Sequence, residues 1–141
     1  MDIKVFFPGG KRVDAMVGTH VIRTDQPASA GGEDSAPAPF ELFLASLGTC
    51  AGIYVLAFCQ ARGISTEGLE LVQRHAVDPS SGQLDAVSID IKLPPGFPER
   101  YRDAIVRAAE GCKVKKVIAR APMISVRARP ASADAPALAT A

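Results

Sequence analysis

Three cysteines, two histidines and a short run of lysines carry most of the chemistry this chain could perform. Cys112 follows Gly111 and opens the segment Lys113-Val114-Lys115-Lys116. A thiol at a helix N-terminus beside cations has its pKa lowered from about 8.5, which raises the fraction present as attacking thiolate. Local chemistry therefore nominates Cys112. Cys50 lies eleven residues past Pro39, beyond the dipole at that end of its own helix, so only a cation brought from elsewhere would activate it. Lys11, Arg12 and Arg23 are the candidates. Periodicity alone does not separate packing from reaction at Cys50. Cys59, nine residues on and about 180° round the helix, cannot share a site with Cys50 and reads as a small buried hydrophobe.

The other reactive types offer less. His20 sits beside a turn and His75 within an extended run, without a second histidine or a carboxylate at ligand spacing. Gly9-Gly10 and Gly31-Gly32 lack the context of a phosphate-cradling loop. Glu33-Asp34 reads as loop solvation, and the basic run near Lys113 as a solvated face that could also steer an anion. An odd number of cysteines without CxxC or Cys/His spacing argues against structural zinc and against a secreted disulfide scaffold.

These residues must be positioned by a chain of 141 residues, 48% hydrophobic and 22% charged, with a formal net charge of +1. That profile predicts one globular domain able to bury roughly two thirds of its unfolded surface. It gives no electrostatic footprint for nucleic acid. Met1 to Phe7 lacks the pattern of a secretory signal, so the expected compartment is the cytoplasm.

Ile3 to Phe7 and Arg12 to Val17, separated by Pro8-Gly9-Gly10, read as a β-hairpin, and His20 to Arg23 as a third short strand. Pro27 to Pro39 is a long loop of the length that often serves function. Pro39 opens a helix that Arg62-Gly63 closes. Its eighteen uncharged residues, Leu42 to Cys59, formally reach the length of a membrane span, but Gly48, Thr49 and Gly52 make the middle small and weakly apolar. We read it as a helix buried on all sides, whose small residues admit close backbone. Phe43, Leu47, Cys50 and Tyr54 share one stripe of it.

Gly68 to Asp78 and Gln83 to Leu93 form a second hairpin, with Val87, Ile89 and Ile91 alternating. Pro98 to Gly111 is amphipathic, turning Tyr101, Ala104, Ile105 and Ala108 inward; a short helix follows from Cys112 to Ala119, then a last strand from Met123 to Arg129. The predicted order is βββ-α-ββ-αα-β, an α+β arrangement in residues 1–130. Residues 131–141 read as a disordered low-complexity tail.

With these residues in view, the chain resembles the OsmC/Ohr family, the osmotically inducible and organic-hydroperoxide-resistance proteins. The resemblance runs from about Val5 to Arg129. It is carried by Gly31-Gly32, by Ala36 to Leu42, by Ala45-Ser46-Leu47-Gly48-Thr49-Cys50 and by Ala108-Ala109-Glu110-Gly111-Cys112-Lys113-Val114. The resemblance implies an intertwined homodimer, with antiparallel sheets of both chains wrapped around buried central helices and the sites at the subunit interface. It also implies a thiol peroxidase without metal, flavin or other cofactor. Cys50 matches the family's attacking cysteine and Cys112 its resolving one, which reverses the local ranking. The expected cycle runs through a sulfenic acid at Cys50 and a Cys50–Cys112 disulfide, reset by a dithiol reductant.

Arg12 best matches the family's activating arginine, since a guanidinium both pairs with a thiolate and donates to a peroxide oxygen. Phe40 stands where family peroxidases usually carry a glutamate, and Glu41, one residue on, is rotated about 100° around the helix. Apolar neighbours of Cys50, namely Phe40, Phe43 and Tyr54, together with Glu41, are the expected substrate-binding residues for an organic hydroperoxide. The alternative is a weakly catalytic or non-catalytic protein that holds a small apolar or thiol-reactive ligand at the same interface.

Overall fold

The computed structural model describes residues 1–130; the low-complexity tail expected over 131–141 lies outside the described residues. Among the described residues eight strands and α-helices follow one another, besides two short 3-10 turns at Ala28–Ala30 and Glu99–Tyr101: strands β1 (Ile3–Gly9), β2 (Arg12–Val17) and β3 (His20–Ile22), helix α1 (Pro39–Gln60), strands β4 (Glu70–Val77) and β5 (Leu84–Lys92), then helices α2 (Arg102–Glu110) and α3 (Lys113–Ala119). The strands form two antiparallel sheets, β1-β2-β3 and β4-β5. This is the predicted α+β order with one exception. The last strand expected over Met123–Arg129 is absent: residues 121–130 hold no regular structure, and Ile124 and Val126 are exposed. A strand needs an edge to pair with, and this segment meets none among the described residues.

Helix α1 starts where proline and a first-turn acid place it. Glu41 Oε2 accepts the backbone N–H of Ala38 at 2.8 Å, which closes the first turn. At its other end Gly63 takes a left-handed φ of 63°, and the N–H groups of Gly63 and Ile64 donate to the carbonyls of Gln60 and Cys59. Polar residues inside this apolar helix satisfy themselves locally: the Ser46 hydroxyl donates to the Phe43 carbonyl and the Thr49 hydroxyl to that of Ala45.

The expectation of burial on every side is corrected. Leu44, Leu47, Ala51, Val55, Phe58 and Cys59 make one buried stripe, while Phe40, Phe43, Ile53 and Tyr54 stay exposed. Among the described residues α1 has cover on one side only, from α2, α3 and β4. It is the one helix among the described residues long and apolar enough to cross a membrane, and a third (33%) of that window is buried.

Two linked clusters form the core. Val55, Phe58 and Cys59 pack with Ile105 of α2, and Leu47 and Ala51 pack with Cys112. Leu71, Val87, Ile89 and Ile91 turn inward onto these clusters, as the alternation in the sequence requires. The outer face of the second sheet carries the Arg74–Asp90 and Lys92–Glu70 ion pairs. Gly48 admits a side chain rather than the backbone expected there: Gln73 reaches from β4 to donate to the Leu44 carbonyl at 3.0 Å.

The first sheet is joined to the rest through a stapled loop. Asp25, buried at 1% exposure, receives the N–H groups of Gln26, Glu33 and Ser35 and the Ser35 hydroxyl on its carboxylate. Its own N–H donates to the Pro37 carbonyl at 3.4 Å, just before α1 begins. Asp14 of β2 accepts the N–H of Thr24 and ties the staple to the sheet. All seven residues of β1 remain exposed.

Candidate active site

Cys50 is half-buried, Cys112 and Cys59 are buried, and all three are free thiols. Cys50 lies at the border of the buried stripe of α1, against the cluster of Leu47, Ala51 and Cys112 that also receives Val114. Cys112 is the N-cap of α3, its sulfur accepting the Lys115 N–H at 3.4 Å. Its thiol donates to the Leu47 carbonyl of α1 at 3.8 Å. The two cysteines that the sequence separates by sixty-two residues therefore meet where the start of α3 crosses the middle of α1.

The electrostatics favour Cys50. The backbone N–H of Val114 is the largest influence holding the Cys50 thiol below the ordinary value, against the opposing effect of burial; the Cys112 thiol, the Lys113 N–H and the Lys113 charge add to the lowering. Burial dominates at Cys112 and pushes its pKa up, with the interaction with Cys50 raising it further. Burial likewise raises Cys59, only partly opposed by Arg62. The start of α3 reaches both thiols: the Val114 and Lys113 N–H groups and the Lys113 charge lower Cys50 across the helix contact, while the Lys115 and Val114 N–H groups lower Cys112 by less than burial raises it.

A cleft of about 650 Å³ opens between α1, β5, α2 and α3, with Cys112 but not Cys50 on its lining. Phe43, Leu47, Val87, Ile89, Val106 and Cys112 give it an apolar wall, and Asp85, Glu110 and Lys115 lie on its lining. Phe43 thus reaches the cleft, and Phe40 stacks on Phe43 with ring centroids 5.8 Å apart. Tyr54 packs against Gly111, next to Cys112. Glu41 is spent on the first turn of its own helix.

Arg12 lies elsewhere in the protomer. Its Nε donates to the Gly9 carbonyl at 3.5 Å, and with Arg23 it lines a separate cavity of about 510 Å³ bounded by Thr24, Ser35 and Ala36. The chain by itself brings neither arginine to Cys50; the cation acting there is Lys113. His20 and His75 are exposed on strands and join neither cavity. Sequence reasoning missed Asp25 as the organiser of the long loop. The visible signal was an Asp directly before a Pro/Gly/Ser-rich stretch, the setting in which an Asp side chain bonds backbone N–H groups. It also missed Lys113 as an influence on Cys50, because that proximity exists only across the α1–α3 contact.

A family model described as OsmC-like protein matches residues 32–127, more than half of the chain. The chain belongs to that family. None of the curated proteins compared matches it. Among solved structures, it is similar to a protein of Psychrobacter arcticus described as an osmotic stress induced and detoxification response protein. The identity is 22%, covering 81% of this chain and 85% of that one, with a TM-score of 0.70. An OsmC-like protein of Mycoplasma pneumoniae superposes with a TM-score of 0.67 at 13% identity, over 85% of this chain and 87% of that one. An organic hydroperoxide resistance protein OsmC of Legionella pneumophila gives 0.55 at 23% identity, over 83% and 87%. At these identities the likeness to solved structures is one of fold.

Proposed function

We propose that the chain is a thiol peroxidase that reduces organic hydroperoxides, with Cys50 as the attacking thiol and Cys112 as the resolving one. The observation that carries this reading is the meeting of Cys50, its thiol held below the ordinary value, with the second, buried cysteine, which lines an apolar cleft. The Cys50 thiolate attacks the peroxide, the O–O bond breaks, and the alkoxide leaves as the alcohol once protonated. Cys112 then attacks the Cys50 sulfenic acid; the S–O bond breaks, the S–S bond forms and water departs. A dithiol reductant reopens the disulfide by exchange and is itself oxidised. Phe43 and Phe40 offer apolar surface to the alkyl part of the substrate. No step calls for a metal or organic cofactor, and three free thiols suit a reducing compartment, the cytoplasm.

We further propose that the working unit is a homodimer and that residues 1–130 are one OsmC-like domain completed by its partner. The accessible surface is 10922 Å², whereas a compact 14.8 kDa monomer exposes roughly 7,000 Å². The difference is in the sense expected of a chain that covers apolar surface with a partner. The chain alone buries about half of its unfolded surface rather than the two thirds expected of its length. The exposed aromatics of α1, the bare first sheet and the unpaired Met123–Arg129 segment are where that excess lies. In this assembly Arg12 of one protomer approaches the Cys50 of its partner.

The test is consumption of an alkyl hydroperoxide with a dithiol reductant, alongside sedimentation across a range of concentrations. Turnover is expected from the native chain and none from Cys50→Ser; Cys112→Ser forms sulfenic acid once and stops. Full turnover by Cys50→Ser overturns the chemistry, and a monomer at all concentrations overturns the assembly. Phe40 in the usual glutamate position and Glu41 committed to its own helix favour a second reading, a protein that binds a small apolar or thiol-reactive ligand without turnover. Peroxide treatment followed by mass spectrometry separates the two. A selective Cys50–Cys112 disulfide supports the peroxidase, and slow oxidation of all three thiols supports the binder.

A further inference from the structure

Tyr54 stands one helical turn beyond Cys50 on α1, and its ring lies against Gly111, the residue before Cys112. A methyl group placed on Gly111 would meet Cδ1 and Cε1 of Tyr54 at 3.1 Å and the Ala108 carbonyl oxygen at 3.0 Å. The backbone there has φ −63° and ψ −11°, which any residue adopts, so glycine is required for space and not for conformation. The chain turns at this corner through the N–H of Gly111 to Ala108 and the N–H of Cys112 to Ala109. Immediately beyond it, the Cys112 sulfur bridges the Leu47 carbonyl and the Lys115 N–H.

We propose that Tyr54 is a positioning residue whose ring holds the Gly111 corner at the spacing that sets Cys112 beside Cys50. It thereby decides how a Cys50 sulfenic acid is partitioned. In one branch Cys112 displaces hydroxide from the sulfenic sulfur, and its proton leaves with that hydroxide as water. In the other, a second hydroperoxide transfers an oxygen to the same sulfur, giving sulfinic acid and alcohol. This inference rests on the reading of Cys50 as the attacking thiol. The Tyr54 hydroxyl makes no hydrogen bond to the described residues, so the flat ring is the working part and phenylalanine should replace it.

The experiment compares the native full-length chain with Tyr54→Phe, Tyr54→Ala, Gly111→Ala and the double variant Tyr54→Ala/Gly111→Ala. Equilibration with a glutathione redox buffer gives the effective concentration of the Cys50–Cys112 pair. Intact mass after alkyl hydroperoxide gives the ratio of disulfide to sulfinic acid. Tyr54→Phe should match the native chain on both readouts. Tyr54→Ala should lower the effective concentration roughly tenfold and raise the sulfinic share. Gly111→Ala should show the same defect. The double variant should lose less than the product of the two single losses, because the ring that the methyl meets is gone. Unchanged partition in Tyr54→Ala, or equal defects in the Phe and Ala variants, would overturn the positioning role. A Tyr54-dependent disulfide in glutathione buffer, with no oxidation of Cys50 by peroxide, would sink the peroxidase reading and leave the positioning role standing.

Discussion

Replacing Gly32 by alanine should cost more stability than replacing Gly31, although only Gly31 has a left-handed backbone, with φ 80°. An alanine Cβ at Gly32 would lie 1.9 Å from the Gln26 carbonyl oxygen and 2.5 Å from its carbon. Those are backbone atoms, so no rotamer relieves the clash. To reach 3.4 Å, the start of ordinary contact, the loop must open by about 1.5 Å. The Gly32 N–H bond to Pro27, at 3.2 Å, and the Asp34 N–H bond to Gln26, at 3.1 Å, would not survive that movement. Two lost hydrogen bonds with partners left poorly satisfied cost about 2–4 kcal/mol. Alanine at Gly31 costs about 1–2 kcal/mol for the left-handed backbone alone, since its nearest neighbour is the flexible end of Lys11 at 3.6 Å. Urea denaturation of both variants and the native chain at one fixed protein concentration measures the difference. Equal losses, the opposite order, or a Gly32→Ala loss within about 0.5 kcal/mol would refute the claim that this loop is closed by backbone-to-backbone contact.

Three further outcomes are expected. The Asp25 carboxyl, held down to about 2 chiefly by the Ser35 hydroxyl and N–H, titrates below its ordinary 3.8. It therefore stabilises the fold above pH 4 and loses that contribution as pH falls from 4 towards 2; denaturation across this range should show the slope, and Asp25→Asn should flatten it. Alkylation with iodoacetamide followed by peptide mass spectrometry should give Cys50 the lowest midpoint pH of the three thiols, and Lys113→Met should move that midpoint up while leaving Cys59 in place. Ile105, with no exposed surface between α1 and α2, should cost about 2–5 kcal/mol as Ile105→Ala and about 0.5–1.5 kcal/mol as Ile105→Val; a smaller alanine effect in thermal denaturation would mean that this seam is not the core.

Much of the architecture was legible in local patterns. Turn residues from Pro79 to Gly82, the alternation of Val87, Ile89 and Ile91, and a proline start with a glycine stop around α1 each express a short-range rule and each took the expected form, whereas Pro8 and Gly9, read as turn, extend β1 past an irregularity in its pairing. The Met123–Arg129 segment alternates just as well and forms no strand here, because pairing depends on an edge that the rest of the chain must supply. The same distinction governs the site. That Cys112 caps a short helix near lysines follows from its neighbours in sequence. Which thiol benefits does not, since α3 meets α1 side-on and directs the Val114 and Lys113 N–H groups at Cys50 while burying Cys112. Residue types and their spacing determined the elements, the family resemblance and the pair of sulfurs worth attention. Only the tertiary structure separated their environments, because field and burial at a sulfur depend on distances between segments far apart in the chain, which no local pattern encodes.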